Sequence, residues 1–213
     1  AGGSHTLALT TDGQVWAWGQ NSDNILGVST VTTTQVSPVL IPNLDHVTAI
    51  AAGDGHGAAL RSDGKVWTWG INTDGQTGLT QETNHPFPEP VPNMDDVTAI
   101  AAGDNHTLIL REDRTVWATG FNDYGQLGDG TTQSRSEFAE VNNLSNIKAI
   151  AAGESFSLAL DAYGDVWMWG DNRLGQVGID PTITETVLLP TRVTLPQTGQ
   201  PYAAIAAGGS HGL

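Results

Sequence analysis

Short runs of alternating apolar and small or polar residues recur along the chain, separated by turns rich in glycine and aspartate. Val47 to Ala52 alternates branched and small residues, and His56 to Leu60 alternates again. This period of two predicts strands, and no segment carries a helical period with caps. Asp63-Gly64 separates the second run from the run Val66 to Trp69, which predicts a tight hairpin.

A fourth strand is expected near Pro90-Val91-Pro92. It follows a compact turn at Gly75 to Gly78 and a variable stretch that contains prolines. Proline cannot donate a backbone hydrogen bond to a neighbouring strand, so within sheets it is found on edge strands. We therefore expect this strand to be the outermost strand of its sheet.

Two phrases repeat along the chain with the same period of about fifty residues. The phrase that ends Ala-Ile-Ala-Ala-Gly has anchor glycines spaced by 51, 50, 50 and 55 residues, at Gly2, Gly53, Gly103, Gly153 and Gly208. The phrase Val-Trp-x-Trp-Gly and its variant have their first tryptophan at Trp16, Trp67, Trp117 and Trp167. A shared period indicates tandem repeats. The units are 2–52, 53–102, 103–152 and 153–207, and 208–213 starts a further copy.

Four short antiparallel strands per unit predict an all-β fold, a β-propeller of four-stranded blades with about four repeats. Each blade has a face that only its neighbour can cover, so we expect a single propeller domain or arc over 1–213. The chain begins and stops inside the same Gly-Ser-His phrase. We therefore expect a partial propeller, completed by further repeats or by other copies through self-association; a closed four-bladed ring is the alternative.

The phrases resemble the regulator-of-chromosome-condensation repeat family. The family pattern is visible in His5 to Leu9, in Asp12 to Gly19 and in Asn122 to Gly128, and the resemblance covers essentially the whole chain. It implies a β-propeller, which in most members has seven blades. It does not imply one function, because the fold carries many functions.

Within this family the chain resembles bacterial members more than the Ran exchange factor or the plant ultraviolet-B photoreceptor. The exchange factor offers no motif that transfers residue by residue. The photoreceptor has Trp and Arg in the two positions before the repeat histidine, where this chain has Gly3-Ser4, Asp54-Gly55, Asp104-Asn105 and Glu154-Ser155. A β-lactamase inhibitory protein of the family has similar phrases, so an enzyme-inhibitory module is one alternative function.

Acidic residues outnumber basic ones, with 23 Asp and Glu against 8 Lys and Arg and a formal net charge of −15. Such a chain repels nucleic-acid phosphates and anionic membrane surfaces, whereas a basic protein is a plausible partner. No apolar run approaches the ~20 residues that span a bilayer. The composition has few lysines and many Thr, Asn, Gly and Asp residues. It favours a secreted or cell-surface bacterial protein, although it does not fix the compartment.

The repeat histidines could suggest catalysis or a metal site; they are His5, His56, His106 and His211. Phe156 replaces the histidine of one unit, and the histidines are not clustered at short spacing as metal ligands are. We interpret them as structural groups that hydrogen-bond backbone at blade junctions. No cysteine is present, and no arrangement of Ser, His and Asp or of paired carboxylates stands out. We therefore expect no enzymatic activity, catalytic residue, metal site or cofactor.

The tryptophan pairs (Trp16/Trp18, Trp67/Trp69 and Trp167/Trp169) lie at positions that share one face of a strand. We interpret them as core between blades, with an aromatic ligand platform as the alternative. Thr119 replaces the second tryptophan of the third unit. This replacement suggests that the second position is less demanding than the first.

Recognition on a repeated scaffold usually lies where the repeats vary. An acidic residue follows the anchor glycine in three units, and by symmetry Asp54, Asp104 and Glu154 should form an acidic arc on one propeller face. His85 and Phe87, in the long connection from Leu79 to Glu89, are candidate anchors for the partner. We predict a protein-protein interaction propeller with an acidic face; the alternative is a structural repeat segment of a larger bacterial surface or secreted protein. Phe138 is interpreted as core of a fourth strand.

Overall fold

The computed structural model describes residues 2–29, 32–80, 83–194 and 201–212. Among these residues it has fifteen short strands and one 3-10 turn at Ser22–Asn24. The strands are β1 His5–Leu9, β2 Val15–Gln20, β3 Thr34–Leu40, β4 Val47–Ala52, β5 His56–Arg61, β6 Val66–Gly70, β7 His85–Pro90, β8 Val97–Ala102, β9 His106–Arg111, β10 Val116–Gly120, β11 Arg135–Glu140, β12 Ile147–Ala152, β13 Phe156–Asp161, β14 Val166–Asp171 and β15 Thr186–Arg192. The expectation of an all-β fold is confirmed.

The strands form four antiparallel sheets in chain order. Sheet 1 contains β1–β3, sheet 2 contains β4–β7, sheet 3 contains β8–β11 and sheet 4 contains β12–β15. Within each sheet, strands that follow one another in sequence lie side by side. β4 packs beside β8, and β8 packs beside β12, so the alanine-rich strands meet at the inner edge of successive sheets. This arrangement is an arc of propeller blades, as the repeat pattern predicts.

The expected fourth strand is present and is the outermost strand of its sheet. In sheet 2 it runs over His85–Pro90, so it begins and ends earlier than the expected position near Pro90-Val91-Pro92. Trp67 pairs with Pro90 and Gly70 pairs with His85, and the register shifts between the two pairs. This bulge takes up extra residues on the outer strand. The same shift occurs in the outer strands of the other three sheets.

The sheets and the sequence units are offset by one strand. Each Ala-Ile-Ala-Ala strand that ends a sequence unit is the first strand of the following sheet. After sheet 4, Ala207 forms an isolated bridge with Gly212, the same step as the pair Ala52 and Gly57 in sheet 2. Residues 195–200 of the fourth unit, Leu213, and Gln81-Glu82 of the long connection lie outside the described residues.

The apolar core lies between the sheets. One cluster joins sheets 1 and 2, a second joins sheets 2 and 3, and a third joins sheets 3 and 4 and includes residues of the segment 201–212. Phe138 is buried in the second cluster, at 8% exposure, and the interpretation of this residue as core of a fourth strand is confirmed. No helix with the length and hydropathy of a membrane span occurs in the described part of the chain.

In sheets 2 and 4 the second tryptophan of the pair contributes more to this core than the first, so the expectation that the second position is less demanding is wrong for these two sheets. Trp69 and Trp169 are completely buried, whereas Trp67 and Trp167 are half-buried. The indole nitrogen of Trp69 donates to the carbonyl of Ile25 in the preceding unit at 3.1 Å. The second tryptophan is buried because it reaches under the turn of the preceding blade.

Candidate partner-binding face

The acidic arc (Asp54, Asp104 and Glu154) lies where the inner strand of each sheet turns into the next strand. The backbone N–H of Asp54 donates to the carbonyl of Asp104 at 2.9 Å, and that of Asp104 donates to Glu154 at 3.1 Å. The series continues from Glu154 to the carbonyl of Gly209 at 3.0 Å. Each bond joins one blade to the next, so the three acidic residues follow one another around the inner edge of the arc. We name this end of the sheets the anchor face.

The carboxylates of the acidic arc affect one another electrostatically. Asp104 is half-buried, and its pKa is raised to about 6, first by burial and then by the charges of Glu154 and Asp54. Asp54 and Glu154 are exposed. In the part of the chain that the structure describes, none of the ion pairs includes a residue of the arc. Among the described residues, no cation is therefore paired with the negative charge of the arc.

The anchor glycines allow successive blades to approach closely at this step. A Cβ atom on Gly53 would lie 2.2 Å from Cε1 of His56 and 2.5 Å from the carbonyl oxygen of Gly103. A Cβ atom on Gly103 would meet His106 at 2.2 Å and the Gly153 carbonyl at 2.4 Å. No side chain fits in this space, so the glycine is required for the packing that brings the acidic residues together.

Two of the repeat histidines support the anchor face from inside the protein. Nε2 of His56 lies 2.8 Å from Oγ1 of Thr107 in the next sheet, and that hydroxyl donates to the carbonyl of Gln76 at 2.7 Å. The single hydroxyl proton is used on Gln76, so Nε2 of His56 must be the donor to Thr107. His106 and Ser157 make the same contact at 2.9 Å, and Ser157 donates to Gln126 at 2.8 Å.

These histidines are neutral structural groups. Burial lowers the pKa of His56 to about 3 and that of His106 to about 4. The structure supports their interpretation as structural groups at blade junctions, with a hydroxyl of the next sheet as the partner of Nε2. Gly57 replaces the hydroxyl residue opposite His5, so Nε2 of His5 has no hydroxyl partner of this kind. Phe156, which replaces the repeat histidine in sheet 4, has no ring nitrogen and therefore needs no hydroxyl partner.

The structure places His85 and Phe87 away from the acidic arc. Both lie on β7, the outermost strand of sheet 2, whereas Asp54 follows β4 at the opposite edge of that sheet. His85 is buried, and its Nδ1 lies 3.0 Å from Oε1 of Glu89. Phe87 is 44% exposed. The predicted site residues therefore divide into a group at the inner edge and a group at the outer edge.

A second set of residues near the arc was not predicted from the sequence. The guanidinium of Arg173 lies 4.3 Å from the ring centroid of Tyr124, and its Nε donates to Asp171 at 2.9 Å. A cleft of about 340 Å³ next to Glu154 is lined partly by Arg173 and by Leu174, which is 74% exposed. They could have been found from the sequence, because most residues directly after the Trp-Gly phrase differ from one repeat to the next.

The whole chain, residues 1–213, matches the family described as RCC1-like domain. The chain belongs to the RCC1-like domain family. It is 39% identical over 89 residues to the human probable E3 ubiquitin-protein ligase HERC3, an alignment that covers 41% of this chain and 8% of HERC3. The mitochondrial RCC1 domain-containing protein RUG3 of Arabidopsis thaliana is also 39% identical over 89 residues, which cover 41% of this chain and 20% of RUG3.

Two solved structures share the fold over nearly the full length of this chain. Prp20p of Saccharomyces cerevisiae has a TM-score of 0.85 at 28% identity, and the match covers 98% of this chain and 53% of that chain. Human WBSCR16 has a TM-score of 0.86 at 23% identity, with coverage of 100% and 55%. The chain thus spans about half the length of these two structures. The predicted family and propeller fold are confirmed, and the closer similarity to bacterial members stays a prediction.

Proposed function

We propose that this RCC1-like chain is a protein-binding module whose acidic arc binds a basic segment of its partner. The observation that carries the proposal is the backbone series that holds Asp54, Asp104 and Glu154 next to one another in three consecutive blades. A lysine or arginine placed against the arc would supply a positive charge that the described residues do not pair with it. The burial and the like charges that raise the pKa of Asp104 favour such a partner, because a cation relieves the repulsion.

The net charge of −15 supports this proposal through association kinetics. A strongly negative surface attracts a basic partner over distances comparable with the Debye length, which is about 8–10 Å at physiological salt. Complementary charge increases the association rate more than it increases affinity. The binding of a basic partner should therefore depend strongly on salt concentration.

Relatives support a protein-binding role. The crystal structure of Prp20p was described together with its binding to Gsp1p and histones, and yeast RCC1 (Prp20) was crystallised with Kap60. We propose that this chain likewise binds protein and is not an enzyme, and that it binds neither nucleic acid nor membrane. HERC3 is named as a ubiquitin ligase, but the aligned region is only 8% of it.

The test compares two triple variants that remove the same charge from opposite ends of the sheets. The arc variant is Asp54→Asn with Asp104→Asn and Glu154→Gln. The control is Asp12→Asn with Asp63→Asn and Asp113→Asn, three exposed residues in the hairpin turns of sheets 1, 2 and 3. Purified core histones and a synthetic Lys/Arg peptide serve as basic probes, and a polyglutamate peptide serves as the acidic control.

The arc variant should associate more slowly with the basic probes and should show a flatter dependence of the association rate on salt. The association rate of the control variant should fall much less, because its carboxylates lie at the other end of the sheets. Equal losses in both variants would show that only the total charge matters and would remove the arc from the site. Unchanged association in both would favour the alternative of a structural repeat segment of a larger protein.

A further inference from the structure

The four outermost strands differ at one equivalent position. In each sheet, one residue of the outermost strand pairs with the first tryptophan of the repeat: Leu40 with Trp16, Pro90 with Trp67, Glu140 with Trp117 and Arg192 with Trp167. The residue two positions earlier is Pro38 in β3, Pro88 in β7 and Pro190 in β15. In β11 it is Phe138. The strand β11 contains no proline.

This difference leaves β11 with a backbone donor, the N–H of Phe138, that the other three outer strands lack. Proline has no N–H, so its presence in three sheets shows that the N–H at this position is not needed for pairing with the inner strand. β7 also has Pro86 and Pro90 at the positions of Ser136 and Glu140 in β11. The N–H groups of Ser136, Phe138 and Glu140 are therefore available at the outer edge of sheet 3. An outer edge with free donors is the usual template for adding a further strand.

A backbone bond from the neighbouring blade covers the edge of sheet 4, whereas no described residue makes such a bond to the edge of sheet 3. The N–H of Gly130, in the turn region of sheet 3, donates to the carbonyl of Leu188 in β15 at 3.0 Å. The equivalent residues one blade earlier are Thr80 and Ser136, and no backbone bond joins them in the part of the chain described by the structure. Among the described residues, the outer edge of β11 therefore lacks the backbone bond that covers β15, and Glu137 and Glu140 on this strand are exposed.

Two clefts lie along β11 and share Glu137 and Phe138. The larger cleft, about 480 Å³, lies between residues 73–75 of sheet 2 and residues 134–139. The smaller cleft, about 290 Å³, is lined partly by Met94 and Trp117. A strand rises about 3.3 Å per residue, so a short extended peptide on β11 would reach both clefts. The larger cleft is lined mainly by polar residues. Met94 and Trp117 give the smaller cleft a surface that suits an apolar side chain.

The charges at this edge indicate which kind of strand fits. Glu137 and Glu140 are exposed, whereas Arg135 is paired with Asp129. Two copies of β11 placed side by side would bring these acidic residues together, and like charges across a strand pair are destabilising. A strand that carries lysine or arginine is favoured for the same reason.

We propose that β11 binds an extended basic segment of a partner protein, which adds to the outer edge of sheet 3 as a fifth strand. Main-chain hydrogen bonds to Ser136, Phe138 and Glu140 hold the segment. An apolar side chain of the segment enters the cleft lined by Met94 and Trp117, and a lysine or arginine lies against Glu137. This mode of recognition combines backbone pairing for affinity with side-chain clefts for specificity. The site is on the outer wall, separate from the acidic arc.

The test uses a random-peptide phage library as the probe and two matched variants of the full chain. Ser136→Pro with Glu140→Pro removes two outer N–H groups, and both prolines are tolerated at the equivalent positions of β7. Ser136→Ala with Glu140→Gln changes the same side chains and keeps both N–H groups. Thermal unfolding confirms that each variant is folded before binding is measured. Hydrogen exchange of the β11 amides is followed with and without the selected peptides.

We expect selected peptides that alternate apolar residues with Lys or Arg and that slow the exchange of the Phe138 and Glu140 amides. Their affinity should fall about tenfold or more in the proline variant, because two main-chain bonds are lost, and should stay within about threefold in the control. Peptides that bind both variants equally would overturn the proposal, as would a selection that yields no peptide dependent on β11. A wild-type dimer that the proline variant abolishes would also overturn it, because the occupant would then be a second copy.

Discussion

His56 of sheet 2 and Thr107 of sheet 3 face each other across the seam between two blades, with 2.8 Å between Nε2 and Oγ1. Both side chains are completely buried. The threonine hydroxyl also donates to the carbonyl of Gln76 in sheet 2, so this residue is bonded twice to the preceding blade. The seam is therefore held by specific polar contacts as well as by apolar packing.

Replacing Thr107 with valine should destabilise the protein by about 1–3 kcal/mol, because Nε2 of His56 and the Gln76 carbonyl lose a buried partner. The matched control is Thr98→Val, an exposed threonine whose hydroxyl donates to the carbonyl of Leu110 at 3.1 Å. The control should change the free energy of unfolding by less than about 0.5 kcal/mol. Urea denaturation measures both free energies of unfolding. Equal effects would show that the contact between the blades contributes no more than the exposed hydrogen bond of Thr98.

Replacing either tryptophan of sheet 2 with alanine should destabilise the protein, and the loss should follow how deeply the side chain is buried. Trp69→Ala should cost about 3–5 kcal/mol, because it empties the space under the turn of sheet 1. Trp67→Ala should cost less than half as much, because the first tryptophan is only half-buried. Chemical denaturation of the two variants gives the comparison. A larger loss for Trp67→Ala would contradict this order.

Acid should destabilise the protein partly through the buried histidines. The pKa of His106 is about 4 in the folded protein, below its ordinary value of 6.5, so the unfolded state binds the proton first. Stability is therefore present above about pH 6.5 and is lost as the pH falls towards 4. His106→Phe with Ser157→Gly copies the natural pair of Phe156 and Gly212. This variant should lose less stability than wild type between pH 7 and pH 4.5, by roughly 2–3 kcal/mol. Parallel pH profiles of the two proteins would contradict this assignment.

The titration of Asp104 should change stability with pH in the direction opposite to that of His106. Its folded-state pKa, about 6, lies above its ordinary value of 3.8, so the folded state binds the proton first. The contribution of Asp104 to stability is therefore present below about pH 3.8 and is lost as the pH rises through 6. Asp104→Asn should stabilise the protein relative to wild type at pH 8, and the gain should disappear towards pH 4. Unfolding temperatures across this range measure the difference, with Asp63→Asn as an exposed control. A gain that does not depend on pH would exclude this titration as its cause.

Much of the candidate site could be predicted from the sequence, because the repeat itself carries the symmetry. The step after the anchor glycine is the same in each unit, so the repeat pattern alone places Asp54, Asp104 and Glu154 on one arc. His85 and Phe87 could not be placed in this way. They lie in a stretch that varies between repeats, and the bulge in β7 draws both into the outer strand.

The strands, the hairpins, the fifty-residue period and the proline-bearing outer strands follow from the sequence alone, because each of these depends on residues close together in the chain. Three other features depend on tertiary packing: which tryptophan is buried, which hydroxyl bonds each histidine, and which outer edge is left open. They are set by how one blade lies on the next, and they join residues about one repeat apart, as His56 and Thr107 are joined across 51 positions. Local pattern cannot specify such contacts, because the packing distance between neighbouring sheets sets them.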